Sequence, residues 1–450
     1  MPEDTPGIFR VDLLGSTVLY VAVESQAPSY TPSGPPRQED VDTRRDRLGR
    51  PEQVRLRAIF LAQRALVFQY GSILGFFLLS SICFINRILM TVEGWIFPGI
   101  AKISLDDNVV FVIGHQRSGT TSIQTALSEG DNVIESTNFD CICPSLILKV
   151  LLAPSAIIIN FIVMKLFDTP NHRVGLNEPL EEHLWLLHHF FGEALPSVMF
   201  PSLSQDEKIL EASIAVEDWH FDFVKDCMRR VIYFKQMKEM MMRMVAQSPR
   251  REKTKMVYVG KPLLFTLHMD ALRRNFPKAK LVLCIRNPSS TLPSYIDFIS
   301  AITSVPPDDK VFRDRFMSLF KVYSVPLLRR LAMEVTAASA ASGKQSSDAS
   351  GKMLLRFSEW KKEPHKAMKR MCDWTGIVEG KTAKTVAGTL PDDKKASSLS
   401  SSQDLRFKKK EKHKNRKASF ELIPENKMQE YLGKAFDILQ KYDEDGTVPQ

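Results

Sequence analysis

The stretch that decides the reading of this chain is Val109-Val-Phe-Val-Ile-Gly114-His115-Gln116-Arg117-Ser118-Gly119-Thr120-Thr121. An apolar, β-branched run ends at Gly114, a second glycine follows at Gly119, and a helical pattern opens at Thr120 and continues to Leu127. The spacing G-x-x-x-x-G between a strand and a helix is that of a phosphate-binding loop, in which successive backbone N–H groups and a helix N-terminus converge on one anion. A nucleoside triphosphatase needs Lys and then Ser or Thr after the second glycine, the lysine for the β- and γ-phosphates and the hydroxyl for magnesium. Thr120-Thr121 stands there instead, and the cation lies inside the loop as Arg117. One cation with several hydroxyls suits a ligand carrying less charge than a triphosphate.

Working outward, three more apolar runs read as strands: Lys255 to Gly260, Ala279 to Ile285 and Met353 to Phe357. They do not alternate, and helical stretches separate them, which predicts a parallel sheet covered on both faces. The fold class expected is therefore α/β, a P-loop-like three-layer fold with a central parallel sheet and helices on both faces. It occupies residues 105–445, with mobile, Ala/Ser/Gly/Lys-rich insertions expected near 333–352 and 380–404. The run Ala337 to Lys352 and the run Lys381 to Gln403 carry that composition.

The first 64 residues read as a mobile, basic tail. Ser25 to Gln38 is crowded with Pro, Ser and Gln, and Glu3 and Asp4 occupy the place of a signal peptide's basic start. Ile8 to Val23 is apolar enough for an extra strand, although Asp12 interrupts it. Between Arg64 and Arg87, residues Ala65 to Asn86 carry no charge. As a helix that run would measure about 33 Å, enough for a hydrocarbon core of roughly 30 Å. Arg45, Arg47, Arg50, Arg55, Arg57 and Arg64 precede it, against Arg87 and Lys102 after it. The expectation is a transmembrane helix over 65–86, single-pass with a cytosolic N-terminus, which would leave everything after about residue 90 in a lumen. Leu146 to Phe167 is a second apolar stretch, but Lys149, Pro154 and Lys165 divide it, so it reads as a core or interfacial helix.

Composition sets the outer bounds. The 450 residues are 44% hydrophobic and 25% charged, which excludes a wholly disordered, collagen-like or multi-spanning chain. A net charge of +9 suits an anionic ligand better than bulk nucleic-acid coating, so no nucleic-acid partner is expected. Six cysteines are too sparse for a disulfide scaffold, and Cys141-x-Cys143 lacks the second pair that a structural zinc site needs. No metal is expected.

Arg117-Ser118-Gly119-Thr120-Thr121 resembles, residue for residue, the 5′-phosphosulfate loop of sulfotransferases that use 3′-phosphoadenosine 5′-phosphosulfate (PAPS). A second segment supports the resemblance. Phe276-Pro277 leads through the strand to Arg286-Asn287-Pro288, with Ser294 eight positions after Arg286, and is similar to that family's 3′-phosphate segment. Leu176-Asn-Glu178-Pro179-Leu180-Glu181-Glu182-His183 resembles the acidic Pro-Glu-Glu-Asp-Glu stretch of its membrane-associated and bacterial branch, with departures at Leu180, Glu182 and His183. Gly260-Lys261-Pro262 and Leu355-Arg-Phe-Ser-Glu359-Trp360 match further stations of that branch.

The resemblance implies transfer of a sulfuryl group from PAPS to a hydroxyl or amine acceptor: a glycan, lipid or small alcohol, with a secretory-pathway substrate the first expectation and, for a lumenal domain, a Golgi placement. Cofactor contacts would come from Gly114, Arg117, Ser118, Gly119, Thr120 and Thr121 at the 5′ end, and from Arg286 and Ser294 at the 3′-phosphate. Arg117 would also reach the bridging and sulfuryl oxygens, and Lys261 the leaving phosphosulfate. For the base that takes the acceptor proton, Glu181 is the first choice, with Glu182 and His183 behind it. A P-loop nucleotide kinase or NTPase, and a non-catalytic membrane-anchored nucleotide-binding scaffold, remain open as alternatives. The basic run Lys408 to Lys417 is a further candidate for closing the 3′-phosphate end.

Overall fold

The structure, a computed structural model, describes residues 8–13, 16–21, 73–156, 158, 160, 175–190, 210, 214–216, 218–246, 255–303, 305–341, 351–380 and 418–448. The chain divides into two units, residues 1–51 and 52–450. In the first, inside the expected tail, strands β1 (Ile8–Leu13) and β2 (Ser16–Val21) pair antiparallel, from Ile8 opposite Val21 to Leu13 opposite Ser16.

Among the described residues the second unit is built on five strands: β3 (Val109–Gly114), β4 (Val133–Ile134), β5 (Val257–Gly260), β6 (Lys280–Ile285) and β7 (Lys352–Arg356), in the order β4-β5-β3-β6-β7. Every pairing is parallel. β3 lies in the centre with all six residues buried, which is why its sequence does not alternate. Its odd residues Val109, Phe111 and Ile113 join a core with Phe276, Phe316 and Phe320, while Val110 and Val112 join another with Ile123, Leu127, Trp360 and Met371. Successive strand residues face opposite ways, so the two cores lie on opposite faces of the sheet and the three-layer expectation is met. Edge strand β7 does alternate in burial.

From β3 the chain turns to β4 and β5 on one side, then crosses to β6 and β7 on the other. The carboxyl ends of strands flanking such a reversal open the crevice where α/β sheets take ligands. Helix α2 (Thr120–Ser128) continues β3 directly at this crevice, whereas helix α1 (Ile73–Ile96) precedes the sheet along the chain.

Helix α1 corrects the expected membrane span. It runs to Ile96, past Arg87 and Glu93, and its polar groups bind the domain. Asn86 Nδ2 donates to the carbonyl of Ile142 at 2.9 Å, and Arg87 Nη2 to that of His189 at 2.5 Å. The buried Glu93 carboxylate accepts from Ser145 Oγ at 2.6 Å and from the Ile147 amide at 2.7 Å, and pairs with the Arg230 guanidinium. No helix among the described residues is long and apolar enough to cross a membrane. That finding overturns the single-pass span at 65–86, and with it the cytosolic N-terminus and the Golgi placement. Residues 65–72 of that span lie outside the described residues.

Of the expected insertion 333–352, residues 333–341 complete a helix, Val325–Ala341, in which Val335 is buried and Glu334 pairs with Lys352. Residues 342–350, the stretch 381–404 and the basic run 408–417 lie outside the described residues. The second apolar stretch is helical over Leu146–Leu152 and then tightens into a 3₁₀ turn at Ala153–Ser155, where Pro154 removes a helix donor. None of the six cysteines, all among the described residues, is in a disulfide.

Candidate active site

The loop from Gly114 to Gly119 closes on itself. Ser118 donates both its amide, at 3.1 Å, and its hydroxyl, at 2.6 Å, to the carbonyl of His115. Ser118 is buried, so its hydroxyl shapes the turn instead of facing the loop's mouth. Arg117 sits in the left-handed region with φ 69°, the only non-glycine among the described residues to do so, a conformation that costs a side-chain-bearing residue about 1–2 kcal/mol. Gly119 also has a positive φ, 90°, and an added Cβ would meet the Phe357 ring at 2.5 Å. α2 then starts at Thr120 with no side-chain cap. Its first-turn amides are left pointing out of the helix end, where the partial positive charge of the dipole also lies. Thr120 is buried and Thr121 exposed.

On the β6 side, the segment expected at the 3′-phosphate meets this loop directly. β3 and β6 pair in register, Gly114 opposite Cys284, which sets Arg286 beside the loop. Arg286 Nη1 donates to the carbonyl of Arg117 at 2.6 Å and its guanidinium lies 4.5 Å over the Phe357 ring. Helix Pro288–Thr303 follows, and Ser294 on its second turn accepts from Arg117 Nε at 3.2 Å. The Arg117 guanidinium also lies 5.5 Å from the Phe298 ring centre. Burial lowers its pKa, and the nearby Asp297 carboxylate opposes that shift.

On the β5 side, Lys261 is buried to 2% exposure, yet its ammonium group is fully engaged in the crevice. Nζ donates to Thr121 Oγ1 at 2.7 Å and pairs with Glu181 Oε1 at 2.7 Å. Glu181 Oε2 lies 3.4 Å from His183 Nε2. Of the three candidates for the base, Glu181 is the half-exposed one, with 24% of its side chain open to solvent, while Glu182 and His183 are at 0%.

Glu182 points the other way from Glu181, into the protein. It accepts from Tyr258 Oη at 2.9 Å and from the Lys261 amide at 2.5 Å, and Tyr258 Oη is itself 2.5 Å from Ser136 Oγ. Burial pushes its carboxyl up to about 7 despite those donors. Gly260 is what allows the approach, since an added Cβ would come within 2.5 Å of the carboxylate. Glu182 thus ties the acidic stretch to the end of β5, and Glu181 alone of the two carboxylates borders the crevice.

Sequence reasoning did not find Asp443. It lies in the C-terminal helix Lys434–Asp445, is buried, and accepts from the Asn287 amide through Oδ2 at 2.9 Å and from the Ser358 amide through Oδ1 at 3.0 Å. One carboxylate therefore ties the residue after Arg286 to the residue after Phe357. Nothing local in the sequence marks it, because its partners are far away along the chain. His115 and Gln116, which the G-x-x-x-x-G pattern leaves unspecified, are likewise tied into the domain, through Ser324 and Tyr323.

A family model described as the sulfotransferase family matches residues 109–379. The chain is 27% identical over 217 residues to omega-hydroxy-beta-dihydromenaquinone-9 sulfotransferase Stf3 of Mycobacterium bovis, and by the same measure to that of Mycobacterium tuberculosis. The match covers 45% of this chain and 48% of the relative, so the chain spans about half the length of the curated relatives it matches. Among solved structures, sulfotransferase STF9 from Mycobacterium avium aligns over 70% of this chain and 76% of its own, with 12% identity and a TM-score of 0.49. Sulfotransferase STF1 from Mycobacterium tuberculosis aligns over 75% and 92%, with 14% identity and a TM-score of 0.47.

Proposed function

The chain belongs to the sulfotransferase family, and on that premise we propose that it moves a sulfuryl group from PAPS to the hydroxyl of an acceptor. The observation that carries the proposal is the meeting of two grips at one crevice: the loop through Arg117 and the β6 end through Arg286 and Ser294. A nucleotide with a phosphate on each side of its ribose needs two anion sites that close together. The residues present fit such a ligand. The uncapped first turn of α2 offers amides to a 5′-phosphate, and the two guanidiniums offer planar forks to phosphate oxygens.

In this reading Arg286 and Ser294 hold the 3′-phosphate. Gly119, Thr120 and Thr121 hold the 5′-phosphate through backbone and hydroxyl donors, with Gly114 and Ser118 shaping the turn around it. Arg117 reaches the bridging oxygen, which stays on the 5′-phosphate after transfer, and the sulfuryl oxygens once a ligand displaces Ser294 from its Nε. PAPS supplies an activated sulfuryl group whose bond to the 5′-phosphate breaks as the acceptor oxygen attacks sulfur. Lys261 neutralises charge that develops on the leaving phosphate, from its place beside Thr121. Glu181 accepts the proton of the acceptor hydroxyl, being the carboxylate that borders the crevice. His183, 3.4 Å from Glu181, orients it, and Glu182 holds the Lys261 backbone in place.

The acceptor is proposed to be a hydroxyl compound of the glycan, lipid or small-alcohol classes. The names of the mycobacterial relatives, which specify a hydroxylated menaquinone derivative, support the hydroxyl group as the site of transfer. Incubation with PAPS labelled in its sulfuryl group and a panel of such acceptors tests the proposal. Label should move to at least one hydroxyl acceptor and adenosine 3′,5′-bisphosphate should accumulate in equal amount; donor that stays intact with every class would contradict it.

A further inference from the structure

His115 and Gln116, the two residues between Gly114 and Gly119 that the reaction scheme does not use, lead to an element that it also leaves unused. His115 is buried to 1% exposure, with Nδ1 2.7 Å from the Gln116 carbonyl and Nε2 3.0 Å from Ser324 Oγ. A carbonyl only accepts, so Nδ1 carries the hydrogen. Burial holds the ring's pKa down at about 4, so near neutral pH Nε2 is bare and accepts from the Ser324 hydroxyl. The ring also stands edge-on to Tyr295 at 5.1 Å, next to Ser294. Gln116 Nε2 donates to Tyr323 Oη at 2.5 Å.

Tyr323 and Ser324 are consecutive, and the helical path explains how both reach the loop. Helix Lys310–Leu319 passes into a π-helical turn, Phe320–Ser324, before helix Val325–Ala341 begins. The Val325 amide bonds to the Phe320 carbonyl, five residues back. Pro326 follows at once; it has no amide to donate and its ring crowds the carbonyl four residues before it, which favours a widened turn there. π-turns of this kind are often found at functional sites.

The main-chain carbonyls of Gln116 and Arg117, on either side of the positive-φ Cα of Arg117, are thus fixed, that of Gln116 by His115 and that of Arg117 by Arg286. We propose that Tyr323 and Ser324, presented by the π-turn, are positioning residues that hold the anion loop in its binding conformation through Gln116 and His115. This rests on the reading of the loop as the 5′-phosphate site. Neither hydroxyl touches the nucleotide; each acts by fixing which way the loop's peptide groups face.

Ser324→Ala and Tyr323→Phe each remove one hydroxyl without changing the shape of the core, and calorimetric titration of the full chain reads the outcome. The two probes are adenosine 3′,5′-bisphosphate and adenosine 3′-monophosphate, which lacks the group the loop would hold. Each variant should bind the bisphosphate about threefold to tenfold more weakly, the range for one lost hydrogen bond, and the 3′-monophosphate as the parent does. Equal weakening toward both probes would mark a general structural role and overturn the proposal, as would no weakening at all. A parent chain that does not prefer the bisphosphate would sink the loop reading itself, and the positioning role with it.

Discussion

Arg286 donates from Nη1 to the main-chain oxygen of Arg117 at 2.6 Å, and Arg117 in turn donates from Nε to Ser294 Oγ at 3.2 Å. A strand end, a glycine-rich loop and a helix are closed into one ring of contacts by two guanidiniums. Arg286 fixes the loop's geometry, and in the proposed function it also holds the 3′-phosphate. Arg286→Ala should weaken adenosine 3′,5′-bisphosphate binding about 10- to 100-fold, the range for one charge-assisted hydrogen bond to a buried or half-buried site. Arg286→Lys should recover only part of it, because an ammonium lacks the planar fork. Equal affinities for parent and Arg286→Ala in a calorimetric titration would remove Arg286 from the site.

Glu181 and Glu182 are neighbours in sequence with opposite surroundings, and their variants should separate cleanly. Glu181→Gln should lower the single-turnover transfer rate by about 10²–10⁴ while leaving bisphosphate affinity within about threefold. The same rate in both chains would show that the acceptor proton leaves by another route, with His183→Asn the next variant to measure.

Two buried groups shift in opposite directions, and stability should follow both. The His115 pKa falls from 6.5 to about 4. Between those values the unfolded chain binds more protons, so this contribution is complete above pH 6.5 and lost as pH drops toward 4. The Glu182 pKa rises from 4.5 to about 7. There the folded chain binds more protons, so its contribution is complete below pH 4.5 and lost as pH climbs through 7. Each shift corresponds to about 3 kcal/mol. Urea unfolding of Glu182→Gln should show that the decline between pH 4.5 and 7 is gone, and His115→Gln that the acid-side decline is gone. A pH profile unchanged in both variants would contradict the assignment.

Gly119 combines a left-handed backbone with a close ring. Gly119→Ala places a methyl group 2.5 Å from Phe357 at φ 90°, which should cost about 2–4 kcal/mol from backbone strain and overpacking together. Adding Phe357→Leu should return the overpacking share but not the strain. Full recovery in the double variant, measured by denaturant unfolding, would show that the backbone conformation costs nothing.

The parts of this fold that could be read in sequence are those whose environment is uniform along the chain. β3, β5 and β6 are buried on both faces, so their unbroken apolar runs announce a covered parallel sheet. β4 has two residues and no run to read. The uncharged stretch before Arg87 was misleading for a physical reason: a helix packed on a protein is as apolar on one side as a helix in lipid. What separates the two cases is Glu93 and Asn86, buried against Ser145, Ile142 and Arg230, partners that only the folded chain brings together. At the candidate site, the positions of the loop and of Arg286 at neighbouring strand ends could be read because spacing along the chain carries them. Asp443, Tyr323 and Ser324 were not, since each acts across the fold on backbone or loop groups that no local pattern specifies.

The central claim is that Arg117, with the α2 amides, and Arg286, with Ser294, grip the two ends of one nucleotide. Calorimetric titration of the full chain with adenosine 3′,5′-bisphosphate, in the presence of a chelator and beside ATP with magnesium, tests it most directly. The account predicts one bisphosphate bound per chain without magnesium, an affinity at least tenfold above that for magnesium ATP, and loss of that preference in Arg117→Ala. Binding of magnesium ATP in preference to the bisphosphate, or bisphosphate binding that Arg117→Ala leaves untouched, would contradict it.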